Sequence, residues 1–246
     1  VHIVESTISA NSVAGTQYAL GGGVLGLRNI VIERSLVTGN TCSWGSGGVS
    51  KSEDRNDSDP HSRGVTVVNS TISGNSAMLD GGLGGLYSLT IENSTITNNT
   101  ASHSTGGVYF LGDHYSLLIH SSIISGNSAA DTSVHAADLS TTINGPFSGT
   151  VHVAGNFNLI ASSDALVEVP DDTLTSDPLL GPLADNGGPT LTHALLSGSP
   201  AINAGDNLYG FATDQRGAMR VAGPHADIGA FEVQPAPDTV FADGFD

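Results

Sequence analysis

The sequence predicts an all-β protein built as a parallel β-helix, on three observations. A short unit recurs along the chain. Within each unit apolar and polar residues alternate with period two. Gly and Asn recur where the chain must turn. The clearest copies are Asn69-Ser70-Thr71-Ile72-Ser73-Gly74-Asn75-Ser76-Ala77, followed by Gly81-Gly82-Leu83, and Asn93-Ser94-Thr95-Ile96-Thr97-Asn98-Asn99-Thr100-Ala101, followed by Gly106-Gly107-Val108. Looser copies are Ser6 to Ser12 with Gly22-Gly23-Val24, Val37 to Thr41 with Gly47-Gly48-Val49, and Ser122 to Ala129.

The apolar residue three before each Asn marks the repeat: Ile8, Val37, Ile72, Ile96 and Ile124, at steps of 29, 35, 24 and 28 residues. So short a unit cannot bury a core alone, whereas stacked units share a continuous one. Val65-Thr66-Val67-Val68 and Leu89-Thr90-Ile91-Glu92 have the chemistry of a strand with one buried face. Gly-Asn turns the chain, because both residues tolerate positive φ. Gly-Gly-Val reads as a second turn feeding a further strand, giving two or three short strands per coil. Stretches that favour helix are almost absent. Stacking then predicts an inward aliphatic ladder of Ile8, Val37, Ile72, Ile96 and Ile124. It also predicts an amide ladder of Asn11, Asn40, Asn75, Asn99 and Asn127 at the turn, structural in role.

In chain order, residues 1–50 give about two coils. The chain opens on Val1-His2-Ile3-Val4-Glu5-Ser6, which reads as mid-strand, so further coils are expected upstream. Such an open end exposes unpaired backbone groups. A polar loop at 51–64 explains the long step. Its Asp54, Asn56, Asp57 and Asp59 are oxygen ligands of the kind calcium takes. The spacing lacks the Gly and distal Glu of a calcium loop, so a solvated loop is the reading favoured and calcium the alternative. No other cofactor is called for. Residues 65–130 hold the clearest coils, with a small excursion at Gly112-Asp113-His114-Tyr115, and 151–160 reads as the last coil within the β-helix of residues 1–165. From 166 to 233 prolines interrupt the strands, and an irregular C-terminal cap is expected, since solenoids need a polar closing element. Residues 164–246 carry 13 acids and only Arg216 and Arg220 as bases. Arg216 is a cation available to Asp206, Asp214 and Asp227, most simply in a buried structural ion pair. Residues 234–246 form a tail.

The cap region carries a resemblance. Asp177-Pro178-Leu179-Leu180-Gly181-Pro182-Leu183-Ala184-Asp185-Asn186-Gly187-Gly188-Pro189-Thr190, then Gly198 to Gly205, then Asp214-Gln215-Arg216-Gly217, then Asp227-Ile228-Gly229-Ala230-Phe231-Glu232, resemble in order the signature of bacterial choice-of-anchor Q proteins. The resemblance implies a right-handed β-helix, secreted and held at the outer cell surface by varied C-terminal signals. It implies no settled catalytic residues. The ending Val240-Phe241-Ala242-Asp243-Gly244-Phe245-Asp246 is similar to short endings of secreted proteobacterial proteins, with no apolar tail after it.

Composition limits function. Net charge is −17, from 24 acids against 7 bases, which argues against nucleic-acid binding. No run of 18 apolar residues is present, so no transmembrane segment is expected. The single Cys42 excludes an internal disulfide and reads as a buried thiol. The nine histidines are scattered without metal spacing. Trp44 reads as a coil-corner aromatic or a sugar platform. The reading these features favour is a non-catalytic surface protein in adhesion or extracellular assembly, with a glycan, a protein or its own copies as partner. Copies joined head to tail would form a filament. The alternative is a polysaccharide lyase or glycoside hydrolase, for which Glu33, Arg34 and Glu92 would have to converge on one groove. A third reading, lattice matching by Thr7/Ser9, Thr71/Ser73 and Thr95/Thr97, needs those residues on one exposed face.

Overall fold

A computed structural model describes residues 1–15, 19–52, 64–85, 88–111, 116–133, 135–142 and 150–235. The candidate calcium ligands Asp54, Asn56, Asp57 and Asp59 lie outside the described residues, as do Gly112 to Tyr115 and the tail from 236 onward. The described chain is all-β and forms a right-handed parallel β-helix. Each full coil contributes four short strands, more than the two or three expected, because strands of two or three residues on either side of a tight corner merge in the sequence pattern.

Equivalent strands stack into four parallel sheets. The first sheet stacks His2–Val4, Ile30–Glu33, Gly64–Val68, Ser88–Glu92, Leu117–His120, Val151–Ala154 and Val167–Glu168. The second stacks Thr7–Ser9, Leu36–Thr38, Thr71–Ser73, Thr95–Thr97, Ile123–Ile124 and Leu159–Ile160. The third stacks Ser12–Val13, Thr41–Cys42, Ser76–Ala77, Thr100–Ala101 and Ser128–Ala129. The fourth stacks Val24–Gly26, Val49–Lys51, Leu83–Gly85, Val108–Leu111 and Leu139–Thr142.

The register puts Ile8, Val37, Ile72, Ile96 and Ile124 in one column, continued by Ile160. Facing columns run Ile32, Val67, Ile91, Ile119 on the first sheet and Val24, Val49, Leu83, Val108, Leu139 on the fourth. Together they make one core along the axis.

Two polar ladders fix the corners. Nδ2 of Asn11, Asn40, Asn75 and Asn99 donates to Oδ1 of the next Asn at 2.9 Å, and the backbone N–H of each donates to the same oxygen. Asn127 donates in the same way to Asp138 Oδ1, which terminates the ladder. The second ladder is serine. Backbone N–H of Ser6, Ser35, Ser70 and Ser94 donates to Oγ of Ser35, Ser70, Ser94 and Ser122 in turn. Just before it, Glu5, Arg34, Asn69, Asn93 and Ser121 take positive φ of 44–47°. Beyond the Asn ladder, the Gly-Gly pairs pass so close to the next coil that a side chain will not fit. A Cβ on Gly82 would lie 2.6 Å from Gly107 O and 3.0 Å from Asn99 Nδ2.

The C-terminal region divides in two. Val167–Glu168 pairs onto the end of the first sheet and Leu174 bridges Leu159, so residues 166–174 close the stack. Most of the remainder does not sit at the end. It lies along the flank of the second sheet, where a cap was expected. Its hairpin, Leu180–Ala184 with Thr192–Leu195, is antiparallel. His193 Nε2 meets Ser73 Oγ at 2.8 Å, Thr71 Oγ1 donates to Gln215 Oε1 at 2.6 Å, and Ala230 N–H donates to Thr95 Oγ1 at 3.0 Å. The physical reason is visible in the later coils. Ile123 and Leu159 replace the outward Thr of the second sheet and pack with Leu195, Ala201 and Ile228 into a second core. Burying two such side chains contributes about 1.5–3 kcal/mol each.

Candidate functional site

The fourth sheet carries a pit on its outer surface. Its outward column runs Leu25, Ser50, Gly84, Tyr109, Ser140. Gly84 leaves a gap in that row. The neighbouring column of single bridges, Gly21, Ser46, Asp80, Thr105, places the Asp80 carboxyl under the gap. A Cβ on Gly84 would come within 2.5 Å of both Asp80 Oδ2 and Ser46 Oγ. Leu20, Leu79, Tyr109, Ser50 and Lys51 complete the walls of a pocket of about 200 Å³.

Ser46 Oγ donates to Asp80 Oδ2 at 3.0 Å. Burial pushes the Asp80 carboxyl up to about 7, against the smaller opposing effect of the Ser46 hydrogen bond. Burial also raises the Tyr109 hydroxyl, with the charges of Asp80 and Asp164 adding to it and a hydrogen bond with Thr142 opposing it. Tyr109 is braced edge-on by the His135 ring, centroids 5.8 Å apart. Lys51 is buried, and its Nζ donates to the carbonyls of Leu27 and Ser52. The pit can therefore hold a small ligand against an aromatic wall and a carboxyl that titrates near neutrality.

Along the chain, the strands of the third sheet precede those of the fourth in each coil, and beside the third sheet lies a second feature, an open groove. Ser12, Val13, Ala14, Thr41, Cys42, Ser43, Ser76, Ala77, Met78, Ser102 and His103 line about 450 Å³ of it over four coils. One hydroxyl column, Ser12, Thr41, Ser76, Thr100, Ser128, stands in register on the third sheet, and its first three members line the groove. Ser12, Thr41, Thr100 and Ser128 are exposed, and Cys42 is buried in its floor.

The acids considered for catalysis do not converge. Glu33 and Glu92 both pair with Val68, so one whole coil separates them. Arg34 binds Glu5 Oε1 at 3.0 Å and Glu33 beside it. Glu92 is buried, which raises its pKa against the smaller opposing effect of a hydrogen bond with Tyr209. The Thr/Ser face is divided as well. Thr7 and Ser9 are exposed, but Thr71, Ser73, Thr95 and Thr97 are buried.

The four cap residues separate into two places. Arg216 Nε and Nη2 donate to Asp214 Oδ2 at 2.9 and 2.7 Å, and its guanidinium lies 3.6 Å from the centroid of the Phe231 ring. Asp227 Oδ1 and Oδ2 accept from Asn203 and Val233 N–H at 2.7 and 2.6 Å. Asp206 is elsewhere, 3.8 Å from Nε2 of His120. Two residues of the network went unassigned in the sequence. Arg220 is fully buried and donates to Asp227 O, and Glu232 accepts from Ala222 and Asp227 N–H. Burial, with Asp227 adding to it, lifts Glu232 to about 7. The signal for them was available: an acidic region with two bases must gather its acids around both.

Asp80 was also missed. It stands before Gly81-Gly82, where the other coils have Gly21, Ser46 and Thr105, so alignment of the coils singles it out. Among the described residues no helix is long and apolar enough to cross a membrane. Comparison with family models, with curated proteins and with solved structures returns no match.

Proposed function

We propose that this protein is a binding scaffold on the outside of a bacterial cell, secreted or surface-held, serving adhesion or extracellular assembly. It holds an extended glycan strand along the groove beside the third sheet. The observation that carries this reading is the hydroxyl column. It repeats once per coil, about 4.8 Å apart, close to the length of one sugar unit in an extended chain. The groove is shallow and lined by hydroxyls and small apolar residues with Met78 and His103 and no carboxylate, which suits a neutral polymer better than a charged one. The test is retention on immobilised polysaccharides, with Thr41→Lys and Ser76→Lys as groove-blocking variants. Binding weakened at least tenfold by both supports the reading. Wild-type retention on no polysaccharide, or retention unchanged in the variants, sinks it.

The enzymatic alternative has one specific observation in its favour, the near-neutral Asp80 carboxyl in a pit. Groups so tuned serve as acids or bases. Hydrolysis by paired carboxyls needs two of them about 5–9.5 Å apart, and Asp80 is the one acid among the described residues lining the pit. Release of unsaturated or reducing sugars from a polyuronate panel, with and without calcium, decides between the readings. Turnover that disappears in Asp80→Asn would make the protein an enzyme.

A further inference from the structure

We propose that the pit over Asp80 is a separate binding site for a single neutral, polyhydroxylated sugar ring, which stacks on Tyr109 and donates hydroxyl hydrogens to the Asp80 carboxylate. This goes beyond the groove reading and does not depend on it.

The argument starts from the missing side chain. Every other residue of the outward row in the fourth sheet has a side chain to cover the layer beneath. Gly84 does not, so the Asp80 carboxyl and Ser46 hydroxyl lie against its Cα where a side chain would stand, and Asp80, 9% exposed, forms part of the pit lining. A carboxylate has about four acceptor positions, and among the described residues Ser46 is the side chain that donates to Asp80. A ligand with adjacent hydroxyls can fill the others. The walls match such a ligand. Leu20, Leu79 and the Tyr109 ring are apolar surfaces suited to the C–H face of a pyranose, and His135 fixes the Tyr109 ring before binding. Fixing a ring in advance lowers the entropy cost of association. The volume of about 200 Å³ admits one ring and not a chain. A uronate is disfavoured, since its own carboxylate would face Asp80 at close range, and Lys51, the cation in the wall, already donates to the carbonyls of Leu27 and Ser52.

The experiment titrates methyl glycosides of glucose, galactose and mannose, with methyl glucuronate as the charged comparison, into the full chain. Saturation-transfer NMR and calorimetry are the readouts. At least one neutral glycoside should saturate at pH 8. Its affinity should fall about tenfold at pH 6, because the accepting form of a group titrating near 7 is then mostly lost. Asp80→Asn should weaken binding at least tenfold and remove the pH dependence. Tyr109→Ala should weaken it comparably, with far-UV circular dichroism unchanged. Gly84→Ala should displace the Asp80 carboxyl and the Ser46 hydroxyl and so weaken binding at least tenfold, and if it does not fold, Tyr109→Ala carries the test. The groove variants Thr41→Lys and Ser76→Lys should leave ring binding intact, so the two sites fail separately. No saturable binding by any neutral glycoside overturns the proposal. So does equal binding of the glucuronate, or affinity unchanged in both Asp80→Asn and Tyr109→Ala.

Discussion

The coils and the flanking segment solve the same problem, buried polar groups, in different ways. The coils use neutral ones. Asn75 and Ser70 each meet an identical partner one coil away, so one solution repeats along the axis. The flank uses charges, and nothing in it repeats. Asp214, Arg216, Asp227 and Glu232 bond one another and the backbone across a segment with little regular structure, while the buried Arg220 donates through Nη2 to Asp227 O and leaves Nε and Nη1 without a hydrogen-bond acceptor among the described residues. The ladder gains from addition, since each rung resembles the last. The charged cluster is all-or-none, because removing one member strands the rest.

The largest expected effect breaks the flank. Asp214→Ala removes the partner of Arg216 and the acceptor for Arg216, Ala218 and Glu232 N–H. Removing one side of a buried pair costs roughly 3–5 kcal/mol. Hydrogen exchange should show residues 180–233 opening while the coils stay protected. Exchange rising equally in both regions would mean that they fold as one unit.

Next comes the ladder itself. Asn75→Ala strands the Asn40 N–H and Nδ2 donors. At about 1–3 kcal/mol for each unsatisfied buried group, urea denaturation should show a loss of roughly 3 kcal/mol. Asn11→Ala, in an exposed position at the start of the same ladder, should lose clearly less.

A third prediction concerns pH. Asp80 and Glu232 both have folded-state pKa values raised to about 7 by burial, from 3.8 and 4.5. The folded protein therefore binds more protons than the unfolded chain between those limits. Stability falls as pH rises from about 4 through 7. Thermal melts should give a higher Tm at pH 5 than at pH 8. Asp80→Asn should flatten part of that slope, contributing up to about 4 kcal/mol at 1.4 kcal/mol per unit. A Tm that rises between pH 5 and pH 8 would show these carboxyls to be better solvated than the geometry implies.

The smallest effect lies on the bare face. Thr100→Ala, exposed on the third sheet, should change stability by no more than about 0.5 kcal/mol. A larger loss would mean that this face is covered in the folded protein as the second sheet is.

The parts of the fold legible in the sequence were those with a period. Ile72, Asn75 and the Gly81-Gly82 pair announce themselves because the next coil repeats them. The serine ladder was written just as plainly, in Ser35, Ser70, Ser94 and Ser122, but a serine beside a turn looks ordinary until its partner one coil away is known. The four-strand coil was hidden for a related reason: two-residue strands leave too few alternations to count.

What the sequence determined alone was the rung. Alternation and turn chemistry are local, and identical neighbours can only stack in register. What the tertiary structure alone decided was where the non-repeating residues meet. Gly84 becomes a gap over Asp80 only when one coil lies on another. The acidic C-terminal stretch becomes a flank, not an end cap, because Ile123 and Leu159 turn an apolar face outward and something must cover it. Both outcomes depend on contacts between residues far apart in the chain, and no local pattern encodes such contacts.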